Sequence, residues 1–121
     1  MAAKQHRIRM KRVYDDPDPD DGVRVLVDRL WPRGLKKDDA HLDEWCKEIA
    51  PSAELRKWYG HEPERYEEFT RRYGEELKDT EHREALEHLR QIGAGKVMTL
   101  LSATKNLDLS QAPTIAAALQ K

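Results

Sequence analysis

The sequence predicts an α/β fold in which a small, largely parallel sheet of three or more strands packs against several helices. Two runs of β-branched and apolar residues, at 23–28 and 97–102, have the composition of buried strands. Apolar residues at helical spacing lie between them, so we expect the two strands to be joined through helices and to be parallel. A length of 121 residues fits one domain with its own core.

The first predicted strand covers residues 6–12, where apolar and basic residues alternate. Such alternation is typical of a strand with one solvated face near a sheet edge. The acidic segment that follows, at 15–22, resembles a calcium-binding loop in its alternating aspartates. An EF-hand requires Gly at loop position six and Glu at position twelve, and this chain has Asp21 and Val27 there. We interpret the segment as a solvated turn and predict no metal site.

Helices are expected to follow the central strand. The first of them begins near residue 36 and carries an apolar stripe of Leu42, Trp45, Cys46 and Ile49. Cys46 could be a nucleophile, but its position on this apolar stripe favours the interpretation that it is buried and inert. Ser52 has the chemistry of an N-cap for the next helix, which Gly60 should end.

Charged and aromatic residues follow the central strand at the point where the chain must turn. Pro32 lacks the N–H that a strand needs, and Gly34 permits backbone angles that other residues avoid. Ligands of α/β proteins bind beyond the carboxyl ends of parallel strands, where the loops after both buried strands should converge. The candidate ligand-binding residues in these loops are Arg29, Trp31, Arg33, Lys105 and Asn106, with Asp28 as an orienting residue.

The two arginines of this loop admit two interpretations. Guanidinium groups bind phosphate, sulfate or carboxylate bidentately, so Arg29 and Arg33 can hold an anion together. Alternatively, one or both pair within the chain with Asp28, Asp43 or Glu44 and fix the loop. Arg33 is the stronger candidate, because Arg29 directly follows the strand and can be drawn toward the sheet. Trp31 is either a flat cleft wall or, in the simpler interpretation, a hydrophobic anchor for the loop.

The five histidines show no spacing typical of metal ligands. Among them His61 is the candidate for a general base, since it lies between Gly60 and Glu62 where a helix should begin; the simpler interpretation is a turn residue. The glycines at 93–95 precede a strand, whereas those of a dinucleotide-binding loop follow one. We therefore predict neither a metal nor a cofactor.

Charge and hydropathy restrict the classes of partner. A net charge of -1 argues against a protein that chiefly binds nucleic-acid backbone, although a local basic patch is compatible with it. One cysteine excludes an internal disulfide. No apolar run approaches a signal-peptide core or the roughly 20 residues of a membrane span. We expect a cytoplasmic protein without a membrane partner.

The most distinctive motif is the run Asp-Arg-Leu-Trp-Pro-Arg-Gly at 28–34. Together with Lys-Arg-Val-Tyr at 11–14, Leu-Asp-Glu-Trp at 42–45 and Lys-Asn at 105–106, it resembles the YeaO-like family of bacterial domains of unknown function, number four-eight-eight. The resemblance covers nearly the whole chain and implies one YeaO-like α/β domain over residues 1–121, without an activity. Family members often place an Asn-His pair before the last helix, where this chain has Ser110-Gln111, so the resemblance supplies no histidine acid, base or ligand here.

The leading hypothesis from the sequence is a domain that binds an anionic small molecule or phosphate group at the loop of Arg29 and Arg33. The alternative is a non-enzymatic regulatory or interaction domain whose same loop contacts a protein or nucleic acid. Hydrolysis or transfer at the loop, the identity of the ligand and the oligomeric state are all left open by the sequence.

Overall fold

A computed structural model describes residues 7–120 and contains a four-stranded sheet with the order β1-β4-β2-β3. The strands are β1 (Arg7–Arg12), β2 (Val23–Leu26), β3 (Glu44–Trp45) and β4 (Val97–Ser102). Each pairing of neighbouring strands in this sheet is parallel. The predicted α/β class and the parallel relation of the two apolar strands are confirmed. β1 lies at an edge, as its alternation predicts, and His6 of the predicted strand lies outside the described residues.

Five α-helices accompany the sheet in the described part of the chain. They are α1 (Lys37–Ala40), α2 (Ala53–Tyr59), α3 (Tyr66–Glu76), α4 (Thr80–Gly93) and α5 (Ala112–Leu119). Ser52 caps α2 through its hydroxyl, which accepts a hydrogen bond from the N–H of Leu55 at 3.1 Å. Gly60 ends the helix in the left-handed conformation, with φ of 55°. Within residues 7–120, none of the helices combines the length and apolar character needed to cross a bilayer.

The predicted helix from residue 36 to Ile49 is wrong. Within it only α1 is α-helical, and it ends at His41 in a left-handed conformation, while Lys47–Ile49 form a single 3-10 turn. Between α1 and this turn lies β3, in which Trp45 pairs with Leu26 of β2. Successive residues of a strand face opposite sides of a sheet, and Trp45 and Cys46 accordingly pack into different clusters. The apolar residues have helical spacing by chance, because Leu42 and Trp45 pack on one face of the sheet and Cys46 and Ile49 on the other.

Both faces of the sheet are covered, but by different kinds of structure. On one face, α2 to α5 pack against Val25 of β2 and Leu100 of β4 in the main core. On the other face, Leu26 and Leu101 are covered by Trp31 of the loop after β2 and by Trp45 of β3. Since neighbouring residues of β2 and β4 alternate between these clusters, both central strands are buried on two sides.

The acidic segment differs from the predicted solvated turn at one residue. Asp16, Asp18 and Asp20 are exposed as expected, but Asp21 is fully buried. Its carboxylate accepts hydrogen bonds from Lys11 Nζ at 3.0 Å and from the N–H of Asp18 at 3.0 Å. Over residues 7–120, no group of three or more His, Cys, Asp and Glu side chains could hold a metal ion.

An ion pair with Arg24 completes the environment of Asp21. The Arg24 guanidinium is almost fully buried and bonds the Asp21 carboxylate and the carbonyl of Ala40. Burial by itself raises the pKa of Asp21. The Asp18 N–H and the neighbouring cations outweigh burial, so the pKa of Asp21 lies below its ordinary value.

Gly22 brings this segment against the sheet. Its φ of 65° lies in the region that favours glycine, and a Cβ at this position would lie 2.0 Å from the carbonyl oxygen of Val97. Directly before it, the Asp21 carbonyl accepts a hydrogen bond from Thr99 Oγ1 at 2.7 Å. The two contacts fix the start of β2 against β4.

Cys46 is buried, as predicted, although it follows a strand and not a helical stripe. Burial disfavours its thiolate, and the carboxylates of Glu44 and Glu48 oppose a further negative charge. Together they raise the pKa of Cys46 to about 11. A thiol that stays protonated at neutral pH is a poor nucleophile.

We expect Asp21→Asn to lower the free energy of unfolding by about 3–5 kcal/mol, because it leaves the buried Arg24 without its counter-ion. The measurement is urea denaturation near neutral pH. The matched control is Asp20→Asn at the exposed neighbouring position, which should stay within about 0.5 kcal/mol. Equal effects of the two substitutions would contradict a stabilising role for the Asp21 carboxylate.

The stability that Asp21 contributes should also depend on pH. Because its pKa is lowered in the folded state, this contribution is present above the unfolded-state pKa of about 3.9. It should be lost as the pH falls through the folded-state pKa. Acid titration of the melting temperature should therefore show a smaller loss below about pH 4 in Asp21→Asn than in the parent.

Cys46 should react slowly with a thiol reagent in the folded protein and rapidly after denaturation, given its burial and raised pKa. The rate of colour release from an aromatic disulfide reagent, with and without denaturant, measures the difference. Rapid modification of the native protein would show that the thiol is accessible and would reopen a nucleophilic role.

Candidate functional site

A cleft of about 470 Å³ opens at the carboxyl ends of β2 and β4. Its walls are the loop after β2, the first residues after β4, the end of α2 and the residues before α5. The loop after β2 contributes residues 28–33, and β4 contributes its last residue with the two residues after it, 102–104. The expected convergence of the two loops beyond the strand ends therefore occurs, with a helix end added to it.

Asp28 connects three of these walls. Its carboxylate accepts hydrogen bonds from Ser102 Oγ at 2.7 Å, the N–H of Ala103 at 2.8 Å and Gln111 Nε2 at 2.9 Å. The backbone carbonyl of Asp28 accepts a further bond from Trp45 Nε1 at 2.7 Å. The residue proposed from the sequence as an orienting group thus holds the ends of β2 and β4 and the start of α5 together.

Arg29 lines the cleft, but part of its guanidinium is engaged within the protein. Its Nη2 donates to the carbonyl of Ala50 at 3.2 Å, and the same carbonyl accepts a bond from His82 Nε2 at 2.9 Å. The side chain is half-buried. Arg29 therefore fastens the chain before α2 to the loop after β2, although its partner is a backbone carbonyl and none of the carboxylates considered for it.

Arg33 is exposed at the cleft, and its backbone holds it there. Its carbonyl accepts a hydrogen bond from the Tyr14 hydroxyl at 2.8 Å, and Gly34 turns the chain with φ of 77°. Among the residues that the structure describes, no hydrogen bond or ion pair engages the Arg33 guanidinium. The fold thus fixes the position of Arg33 without using its charged group.

Trp31 anchors the loop after β2 and also lies at the cleft. Its Nε1 donates to the carbonyl of Leu35 at 2.6 Å, and its ring meets that of Trp45 edge-on with centroids 5.3 Å apart. These contacts anchor the loop against the second core cluster. The residue also lines the cleft.

Lys105 and Asn106 do not reach the cleft lining. The chain turns away after Thr104, whose carbonyl accepts a hydrogen bond from Arg12 Nε at 2.9 Å. Asn106 instead caps the turn that follows, because its Oδ1 accepts a bond from the N–H of Asp108 at 3.1 Å. In place of Lys105 and Asn106, the chain at the end of β4 contributes residues 102–104 to the cleft.

His61 lines the cleft and is exposed. Its backbone is in the left-handed region, with φ of 58°, and its ring centroid lies 6.2 Å from that of Tyr59. In residues 7–120 no carboxylate or carbonyl bonds its ring, so nothing orients it as a general base. The structure therefore favours the turn interpretation of this histidine.

Several cleft residues were not expected from the sequence. Arg56 and Lys57 lie in the last turn of α2 and add two cations to the cleft, and Tyr59 follows them. The Tyr59 hydroxyl donates to the carbonyl of Leu109 at 2.7 Å and so ties α2 to the segment before α5. The sequence shows two basic residues, Arg56 and Lys57, shortly before the glycine that ends the helix. Only the packing of α2 in the fold shows that this end of the helix faces the cleft.

The two serine hydroxyls of the cleft are engaged with acceptors of the protein. Ser102 Oγ donates to Asp28, and Ser110 Oγ donates to the carbonyl of Leu107 at 2.6 Å. Neither hydroxyl is paired with a histidine among the described residues. The lining therefore offers cations and aromatic surface for binding, and it lacks the nucleophile–base pair that acyl or phosphoryl transfer to a serine requires.

Comparison with known proteins identifies the family. An uncharacterised protein of Mycobacterium tuberculosis and one of Mycobacterium bovis are each 50% identical to this chain over 113 residues, which is 93% of either length. The uncharacterised protein YeaO of Escherichia coli is 46% identical over 109 residues, 90% of this chain and 93% of YeaO. No solved structure matches. The family model described as the inactive DUF488-N3 subclade matches residues 7–121, and the chain therefore belongs to this YeaO-like family.

Proposed function

We propose that this chain binds a small anion, a phosphate or carboxylate compound, in the cleft beyond the ends of β2 and β4. The observation that carries the proposal is the unengaged guanidinium of Arg33, which the backbone fixes at the cleft. A guanidinium presents planar, paired donors that match the oxygens of phosphate and carboxylate. No described acid competes for these donors.

The charge of the cleft supports the same conclusion. The cationic side chains that line it are Arg29, Arg33, Arg56 and Lys57, and the lining contains a single carboxylate, that of Asp28. This excess of positive charge is local, because the net charge of the whole chain is -1. A concave site lined by one sign of charge concentrates ions of the opposite sign.

We further propose that the cleft binds its ligand without transforming it. Ser102 and Ser110 donate to acceptors of the protein, His61 has no orienting partner among the described residues, and Cys46 is a buried thiol. The description of the family as an inactive subclade is consistent with this arrangement. A binding domain of this kind would sense or carry its ligand.

Arg33→Lys should weaken the binding of inorganic phosphate or of a carboxylate ligand by roughly tenfold, because it keeps the charge and removes the planar fork. Stability should change by less than about 0.5 kcal/mol, since the side chain is exposed. Isothermal titration and a thermal-shift assay with phosphates, nucleotides and carboxylates measure the two quantities.

The matched control is Arg83→Lys, at an exposed position of α4 that is not part of the cleft lining. It should leave both anion binding and stability unchanged. If Arg33→Lys unfolds the protein and no anion raises the melting temperature of the parent, Arg33 is a structural residue and the proposed site is wrong.

A second candidate function is contact with a macromolecule through the same loop. The observation that favours it is Leu30, which is 69% exposed at the cleft between Arg29 and Trp31. A large exposed apolar side chain beside cations suits an acidic peptide or a nucleic acid better than free phosphate. In that case small anions would leave the melting temperature unchanged, and binding of the macromolecule would require both Leu30 and Arg33.

A further inference from the structure

The carboxylate of Asp28 has no cationic partner in the described part of the chain. Its hydrogen-bond donors are a hydroxyl, a backbone N–H and a side-chain amide, all of them neutral. Oδ1 accepts two of these bonds and Oδ2 accepts one. A carboxylate has about four acceptor positions, so Oδ2 retains one position where Asp28 lines the cleft.

Gln111 adds a second acceptor beside it. Its Nε2 donates to the carbonyl of Val27 at 3.1 Å and to Asp28 Oδ1 at 2.9 Å. These two acceptors use both N–H groups of the amide and fix its orientation. The Oε1 atom of Gln111 has no donor among the described residues, and Gln111 lines the cleft.

The cleft lining therefore carries two kinds of group. Asp28 and Gln111 are bonded to each other and offer free acceptors, because both N–H groups of the Gln111 amide are engaged. Arg33, on the loop after β2, and Lys57, near the end of α2, are cations of the same lining. A simple anion satisfies these cations and is repelled by the unpaired charge of Asp28. A ligand with a cation as well as an anion satisfies both.

We propose that the ligand is bipolar, with a protonated amine bound by Asp28 and Gln111 and a phosphate or carboxylate bound by Arg33 and Lys57. An ammonium group has three donors and no acceptor, which matches a surface that offers acceptors alone. The class of ligand is thus an aminoalkyl phosphate or an amino acid. This inference rests on the proposed anion-binding function and adds the identity of the second group to it.

The test compares matched ligands that differ in the amine alone. O-Phosphoethanolamine is paired with ethyl phosphate, and β-alanine is paired with propionate, in isothermal titrations near neutral pH. Within at least one pair, the ligand that carries the amine should bind about tenfold more tightly than the ligand that lacks it, because a charge-assisted hydrogen bond is added. Equal affinities within both pairs would overturn the bipolar ligand and leave the anion site standing, whereas no binding of any probe would remove both proposals.

Two variants assign the preference to its residues. Asp28→Asn removes the charge, and Gln111→Met removes the free carbonyl at similar length; circular dichroism confirms that each variant is folded. Either substitution should reduce the tenfold preference for the amine-bearing ligand of a pair to about twofold or less. Arg33→Lys should weaken both members of a pair by the same factor, because it acts on the shared anion. An undiminished preference in the folded Asp28→Asn and Gln111→Met variants would place the amine elsewhere and contradict the inference.

Discussion

The arrangement of the cleft depends on the carboxylate of Asp28. Its three hydrogen bonds join the end of β2 to Ser102 and Ala103 at the end of β4 and to Gln111 at the start of α5. Parallel strands bring their carboxyl ends to one edge, but they do not by themselves fix the loops that leave that edge. A single acceptor group at the end of β2, with bonds to two other segments, supplies this constraint.

The sheet carries a second constrained carboxylate at its opposite end, and the two differ in their partners. Asp21 precedes β2, is fully buried and is neutralised by Lys11 and Arg24. Asp28 follows β2, lines an open cleft and is bonded by neutral donors. A carboxylate that is paired with internal cations stabilises the fold, whereas one without an internal cationic partner at an open cleft is accessible from outside the protein. The difference separates the structural end of the sheet from the end at which we propose binding.

One segment both completes the core and forms the site. The chain from Trp31 to Trp45 covers the face of the sheet that no long helix covers, and its two tryptophans pack edge-on over Leu26 and Leu101. Because this packing holds the loop through its aromatic rings and backbone, Arg33 need not contribute its side chain to stability. Rigid support beneath an unengaged cation is the condition under which a loop can bind without first being ordered.

The sequence by itself determined the α/β class, the two buried strands and the candidate loop with Asp28 and Arg33. These features depend on local properties: the apolar composition of each strand, and the backbone angles that Pro32 and Gly34 impose or permit at their own positions. Tertiary structure alone decided the rest of the site. Arg56 enters it because α2 ends at the cleft, and Asn106 leaves it because the chain turns aside after β4. Tertiary structure also decided that residues 44–45 form a strand. The spacing of the apolar residues around them, from Leu42 to Ile49, fits a helix equally well. Only the pairing with β2 and the burial on both faces of the sheet distinguish a strand from a helix here.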